Sequence, residues 1–186
     1  MHPIPLPRNR TLYLAKQVDQ DSMNMLSKEI LEINSSDIFL SKISEIYDMK
    51  YNPKPIVIYI DSYGGAVYQC LGLLEIMKKS RVPVHTIVTG CAMSCGFLIA
   101  ITGDKRFAYD KSTFMYHQVS YGAIGKAKEI EEEVIEGKRL QKLIEQHTLT
   151  NTNLSKKQLK ENYAAKKDWY FDSKEALKYS IIDELV

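Results

Sequence analysis

Cysteine, histidine, tryptophan and long apolar runs are all scarce in this chain of 186 residues. Each scarcity removes a class of protein. The three cysteines, Cys70, Cys91 and Cys95, are too few and odd in number for a secreted disulfide framework. Cys91 and Cys95 lack the C-x-x-C spacing of redox and zinc sites, so they read as small buried residues rather than ligands alongside His85 or His117. No metal and no cofactor is expected. The longest apolar stretches, Ile56–Ile60 and Gly96–Ile101, fall far short of the roughly 20 residues that span a bilayer. Prolines at positions 3, 5 and 7 interrupt the apolar helix that a signal peptide requires. The expectation is a cytoplasmic protein with no membrane partner. The net charge of +2 gives no reason to expect nucleic acid. Repeats, low-complexity segments and a linker to a second domain are lacking too.

What is present is an ordinary globular composition, 45% hydrophobic and 26% charged, at a length that suits one domain. Residues 1–10 read as a flexible, proline-rich arm. Thr11–Leu14 reads as a short strand. A helix is predicted from Asp21-Ser22, interrupted at Asn34–Asp37, with a second helical stretch to about Tyr51. Ile56–Ile60 is β-branched, without helical period, and reads as a parallel strand buried on both faces. A turn at Asp61–Gly65, a helix over Val67–Lys79, a strand over Val84–Thr89, a turn from Gly90 to Ser94 and a helix over Cys95–Ile101 follow. Lys105–Tyr109 and Thr113–Tyr116 read as further strands. Such alternation predicts an α/β fold of right-handed βαβ crossovers with a mainly parallel sheet. Gly125–His147 is long and charged, with Ala127, Ile130, Val134, Leu140 and Ile144 near helical spacing. As one helix it would reach about 33 Å. Its narrow apolar stripe suits a projecting helix that meets a partner, or an amphipathic surface helix. A charged helix over Ser155–Lys167, the aromatic trio Trp169–Phe171 and a capping box at Asp172/Ser173 with Glu175 close the chain.

Two strand–turn–helix junctions carry the chemistry. In Asp61-Ser62-Tyr63-Gly64-Gly65 the paired glycines serve either a plain turn or an oxyanion-binding backbone. In Gly90-Cys91-Ala92-Met93-Ser94-Cys95-Gly96, Ser94 is either a helix N-cap or a nucleophile, with the Cys95 N–H beside the reacting carbon. It is not G-x-S-x-G, so an α/β-hydrolase elbow is not indicated. A serine nucleophile needs a base, and there are four histidines. His2 lies on the arm, His147 ends a charged helix, and His85 reads as a packed core side chain within a strand. His117 ends a strand, where sites gather in parallel sheets. It is a candidate base or simply a polar surface residue. Spacing cannot choose the orienting acid among 23 carboxylates. Asp168 is notable between a lysine-rich helix and the aromatic trio, a setting that would partly bury it.

Taken together, Tyr59-Ile60-Asp61-Ser62-Tyr63-Gly64-Gly65, then Gly90–Gly96, then Met115-Tyr116-His117-Gln118, and the tail Asp168–Ala176 with Ile181-Ile182-Asp183, resemble the proteolytic subunits of the caseinolytic (Clp) protease family over about residues 11–186. The resemblance implies a Clp protease/crotonase-like fold of repeated βαβ units with a projecting handle helix. The whole chain would be one domain: an arm at 1–10, a handle at about 120–147, and a head made of 11–119 and 148–186. It implies Ser94 as nucleophile, His117 as base, Asp168 as orienting acid, and the backbone N–H groups of Gly65 and Cys95 as the oxyanion hole. Peptide bonds of unfolded polypeptides would be hydrolysed through an acyl-enzyme. Two seven-membered rings would stack around a closed chamber, fed by an AAA+ unfoldase that supplies ATP-driven unfolding. This sequence has no phosphate-binding loop of its own. In the handle, Tyr121–Gly125 would form a strand and turn.

The sequence departs from the family pattern at Tyr63 and Val119, where proline is usual, and at Cys95, where methionine is usual. Its Ser35–Tyr51 stretch is longer, and the segment ahead of the first strand, which in the family engages the unfoldase, is shorter. Three rivals remain. An inactive ring subunit would usually lose one of Ser94, His117 and Asp168. An acyl-CoA enzyme of the crotonase superfamily would rely on carboxylates. A serine–lysine peptidase of the signal-peptide-degrading type would need a lysine base and a membrane-proximal segment.

Overall fold

A computed structural model describes residues 8–186. The first seven residues of the expected arm lie outside the described residues. Arg8 and Arg10 are held against the first helix. Arg8 pairs with Glu32 at 2.6 Å, and the Arg10 guanidinium forks onto Asp37 at 2.8 and 2.7 Å.

Strands β1 (Thr11–Leu14), β2 (Ile56–Ser62), β3 (Val84–Met93), β4 (Lys105–Ala108) and β7 (Glu184–Leu185) lie side by side and parallel. β5 (Thr113–Tyr116) pairs with the far half of β3, and β6 (Trp169–Phe171) runs antiparallel to β5. Helices α1 (Gln20–Ile46), α2 (Val67–Lys78) and α3 (Cys95–Ala100) make the crossovers, giving the expected α/β architecture. The core is the sheet face carrying Ile56, Ile58, Ile60, Val84 and Val88, with Leu26, Ile30, Leu73, Leu74 and Phe97 from the helices.

Four expectations about these elements are corrected. β2 is fully buried on one face only: Ile56, Ile58 and Ile60 are inside, while Val57 and Tyr59 are half-buried. On that other face Tyr59 stacks on the exposed Tyr13 at 5.4 Å, and His85, expected in the core, sits half-buried beside Phe107. The predicted break at Asn34–Asp37 does not occur, and α1 runs unbroken for 27 residues. Both polar residues are buried and bonded to distant groups. Asn34 accepts from Ser80 Oγ and Arg81 N–H, and Asp37 accepts from Arg10 and from Tyr51 Oη at 2.6 Å. Burial pushes the Asp37 carboxyl up, but its bonds to Arg10 and Tyr51 outweigh burial and hold it low. The turn predicted from Gly90 to Ser94 is corrected over Gly90–Met93, which continue β3; the strand leaves β4 after Val88 and takes β5 as partner from Cys91 to Met93.

The long charged helix, α4, spans Ala127–Asn151 and is followed by α5 (Lys156–Ala165) and α6 (Ser173–Lys178). Residues 127–135 of α4 are exposed, whereas Gly137, Leu140, Gln141, Ile144, His147 and Thr148 are buried against the body. Residues 121–125, expected as a strand and turn, form no strand. Asp172 caps α6, with Glu175 completing the predicted box. Among the described residues no helix is long and apolar enough to cross a membrane.

Candidate active site

β3 ends at Met93 and α3 begins at Cys95, so a single residue, Ser94, turns the chain. It does so at φ 54° and ψ −121°, a conformation that strains a residue with a side chain by about 1–3 kcal/mol. Two backbone bonds hold it there: Ser94 N–H donates to Met115 O at 2.9 Å, and Leu98 N–H donates to Ser94 O at 3.2 Å. The Ser94 side chain does not cap α3, which disposes of the N-cap alternative. Its Oγ lies 2.7 Å from His117 Nε2.

The strand pairing explains how His117 and Asp168 meet. β5 and β6 are antiparallel, with Tyr116 opposite Trp169. One residue beyond that pair stand His117, just after β5, and Asp168, just before β6. The Asp168 carboxylate approaches His117 Nδ1 to 4.0 Å, longer than a hydrogen bond. Its side chain is 56% exposed, so the partial burial expected of it is corrected: the aromatic trio turns Phe171 inward and leaves Asp168 at the open end of the strand. A proton on Nδ1 would face this carboxylate and leave Nε2 to accept from Ser94 Oγ.

Gly64 and Gly65 bring a second backbone against Ser94. Gly64 has φ 92°, and a Cβ there would meet Met93 O at 2.5 Å, Ser94 Cβ at 2.7 Å and Cys95 N at 2.8 Å. Gly65 forms a parallel bridge with Val18, in which Val18 N–H donates to Gly64 O and Ala66 N–H donates to Val18 O. A residue at the centre of such a bridge directs its own N–H and C=O to the opposite side. The Gly65 carbonyl there accepts from Cys95 Sγ at 3.2 Å. The Gly65 N–H therefore also faces the Ser94–Cys95 turn. Cys95 is the first residue of α3, where backbone N–H groups have no partner within the helix.

The three cysteines are buried and unpaired, as expected. Cys70 Sγ donates to Cys95 O at 3.5 Å, and contact with the Cys95 sulfur together with burial pushes the Cys70 thiol well up. Cys91 is pushed to about 11 by burial and by Asp61. Both are therefore neutral packing groups. Among the described residues no group of three or more His, Cys, Asp or Glu side chains is placed to hold a metal ion.

A cleft of about 310 Å³ opens beside Ser94 and His117. Val67, Leu98, Met115, Val119 and Ile144 give it an apolar wall. It can admit an extended chain whose carbonyl lies over Ser94 and whose neighbouring side chain enters the apolar space.

Sequence reasoning passed over two residues. His147 is buried, although the sequence places it at the end of a charged helix. Gln141 is buried as well, behind the loop that follows His117. Both continue the helical phase of Leu140 and Ile144, so extending that stripe would have found them.

Known proteins resemble this chain along nearly its whole length. A family model described as Clp protease matches residues 5–186. The ATP-dependent Clp protease proteolytic subunit 1 of Prochlorococcus marinus subsp. pastoris is 32% identical, over 96% of this chain and 84% of its own length. The ATP-dependent Clp protease proteolytic subunit of Porphyromonas gingivalis is 30% identical, over 97% and 75%. That of Deinococcus radiodurans is 28% identical, over 97% and 82%. The family model spans nearly the whole sequence, and the chain belongs to the Clp protease family.

Proposed function

We propose that this chain is the proteolytic subunit of a ring-forming serine peptidase, with Ser94 as nucleophile, His117 as general base and Asp168 as the acid that orients it. The observation that carries the reading is the 2.7 Å approach of His117 Nε2 to the hydroxyl of a serine held at a strained strand–helix turn. Strain of this kind persists where the surroundings over-determine it, as at a nucleophile that must stand clear of its helix.

In the reaction Ser94 Oγ attacks the scissile carbonyl while His117 Nε2 takes the hydroxyl proton. The carbonyl oxygen gains negative charge facing the N–H groups of Gly65 and Cys95. His117 returns the proton to the departing amine, leaving the acyl group on Ser94. Water then enters, gives its proton to His117 and attacks the ester, which releases a carboxylate and restores Ser94. Asp168 supports the imidazolium as it forms, and does so better when the 4.0 Å gap closes. The apolar wall of the cleft favours an apolar side chain at the residue donating the scissile carbonyl.

The substrates are unfolded polypeptides. The exposed half of α4, with Ile130, Val134 and Ile135 on its surface, supports contact with other copies in two stacked rings. An AAA+ unfoldase partner and a cytoplasmic setting rest on the family likeness alone. The open Asp168–His117 gap favours one second reading, a ring subunit without activity.

The test is incubation of the assembled chain and a Ser94→Ala variant with a fluorophosphonate probe and a fluorogenic peptide, with the assembly mass measured alongside. Labelling and turnover that disappear in Ser94→Ala are expected. A ring-sized assembly that takes up no probe would support the inactive subunit.

A further inference from the structure

Beyond Tyr116 the strand ends, and the chain runs without helix or strand from His117 to Lys126. A base that must hold its nitrogen within hydrogen-bond reach of Ser94 therefore sits at the start of an irregular segment. Gln141 of α4 is placed to hold it. The residue is 7% exposed, and its Oε1 accepts the Val119 N–H at 2.8 Å. Its Nε2 donates to Glu145 Oε1 at 2.9 Å and lies 3.5 Å from the Tyr116 hydroxyl. One amide thus touches the Tyr116 hydroxyl, from the residue just before His117, and the backbone two residues after it.

The partners also fix which way the amide points. A backbone N–H can only donate, so it requires the Gln141 oxygen, and an ionised carboxylate can only accept, so it requires the nitrogen. Glutamate would set two carboxylates against each other, and an apolar side chain would strand the Val119 N–H. Val119 is also one of the positions where the family pattern has proline, which has no N–H to offer. This bond therefore goes with the departure at that position.

We infer that Gln141 is a positioning residue for the catalytic histidine: from α4 it holds the Tyr116 hydroxyl and the Val119 backbone, and through them the approach of His117 to Ser94 and the Val119 wall of the cleft. The inference rests on the serine-peptidase reading above. It predicts that the two ends of the Gln141–Val119 bond act as one unit.

The experiment is a double-mutant cycle on the assembled protein, using Gln141→Met, Val119→Pro and the pair. The rate of fluorophosphonate labelling is followed across pH. Each single variant is expected to label about tenfold more slowly, as small misplacements of catalytic groups do. The pair is expected to be no slower than either alone. The pH midpoint of labelling, which reports His117 and which a general loss of folded protein leaves alone, should move in both single variants. Exchanging the polarity, Gln141→Glu with Glu145→Gln, rebuilds the acceptor and donor and should restore labelling to within about threefold. A roughly hundredfold loss in the pair, or single variants that label like the parent with an unmoved midpoint, overturns the inference. A parent chain that takes up no probe defeats the peptidase reading instead. Hydrogen exchange then still judges Gln141: peptides over residues 115–122 must exchange faster in Gln141→Met, and unchanged exchange overturns its role.

Discussion

Helix α3 has a histidine at each end, and the two are built in opposite ways. At its start, His117 sets Nε2 2.7 Å from the Ser94 hydroxyl and turns Nδ1 to an exposed carboxylate 4.0 Å away. At its end, His147 lies buried with both nitrogens engaged. Lys78 Nζ and Asn151 Nδ2 approach Nδ1 at 3.3 and 3.4 Å, and both are donors, so Nδ1 accepts. Nε2 then carries the proton and donates to Thr102 Oγ1 at 2.9 Å, while Thr102 donates on to Leu98 O. Burial, with Lys78 nearby, pushes His147 down to about 4. A base needs a vacant lone pair within reach of a proton and room to accept charge. His117 has both; His147 has neither and serves as a neutral strut between α4 and α3.

The sharpest way to break this division is to exchange the losses. His117→Gln should lower peptide turnover by about 10⁴-fold or more. Its unfolding midpoint should barely move, as for a half-buried side chain away from the core. His147→Gln should do the reverse, losing about 1–3 kcal/mol of stability while turnover per folded molecule changes less than about threefold. Denaturant unfolding beside steady-state kinetics reads both. A His147 variant that folds normally but is catalytically dead would end the comparison.

Acid gives a second, smaller contrast. The folded His147 binds its proton near pH 4, whereas the unfolded chain binds one near 6.5. Between those values the unfolded state holds more protons, so stability falls as pH falls. The contribution is whole above about 6.5 and gone below about 4, a loss of about 3 kcal/mol. Denaturant midpoints followed from pH 7 to 4 should decline more steeply in the parent than in His147→Gln. Parallel curves would mean that His147 is not held neutral.

These histidines also show what a sequence exposes. Ser94, His117 and the two glycines lie in short motifs whose local chemistry is visible, and β1, β5 and α3 follow from runs of four to six residues. The misreadings lie where a partner distant in sequence decides. Asn34 and Asp37 resemble a helix break until Ser80, Arg81, Arg10 and Tyr51 are seen to bond them inside α1. Gly90 resembles a turn because the switch of β3 from β4 to β5 has no local mark. Tyr59 and Val57 read as core because a sheet covered on one face and a sheet covered on both can share the same apolar run. His147 looks like the tail of a charged helix until α4 is laid on α3.

Asp168 tests how finished the catalytic end is. In a chain whose acid is already bonded to the base, replacing it with asparagine fixes the wrong tautomer and removes about 10⁴-fold of kcat. Here the carboxylate is exposed and too distant to bond, so water screens much of its effect. Asp168→Asn should therefore lower kcat by only about 30-fold, roughly 2 kcal/mol. Steady-state kinetics on the intact assembly measures it, and a 10⁴-fold loss would mean that assembly draws Asp168 onto His117.

The smallest effect separates burial from charge at the other end of the helix. Lys78 is the second cause of the depressed His147 value, after burial, and the Lys78 side chain is exposed to solvent. Charges facing water are heavily screened, so their influence is small beside that of burial. Lys78→Met should raise the lower edge of the acid window by less than about half a pH unit and cost about 1 kcal/mol or less of stability. Asn151 remains to donate to Nδ1, which keeps the tautomer and the bond to Thr102. Denaturant midpoints against pH resolve this if parent and variant are measured at the same salt. A rise approaching the unfolded value would make the lysine, and not the packing of α4 on α3, what keeps His147 uncharged. The strut would then be an electrostatic arrangement that salt could undo, whereas one fixed by burial keeps its acid window from low salt to high.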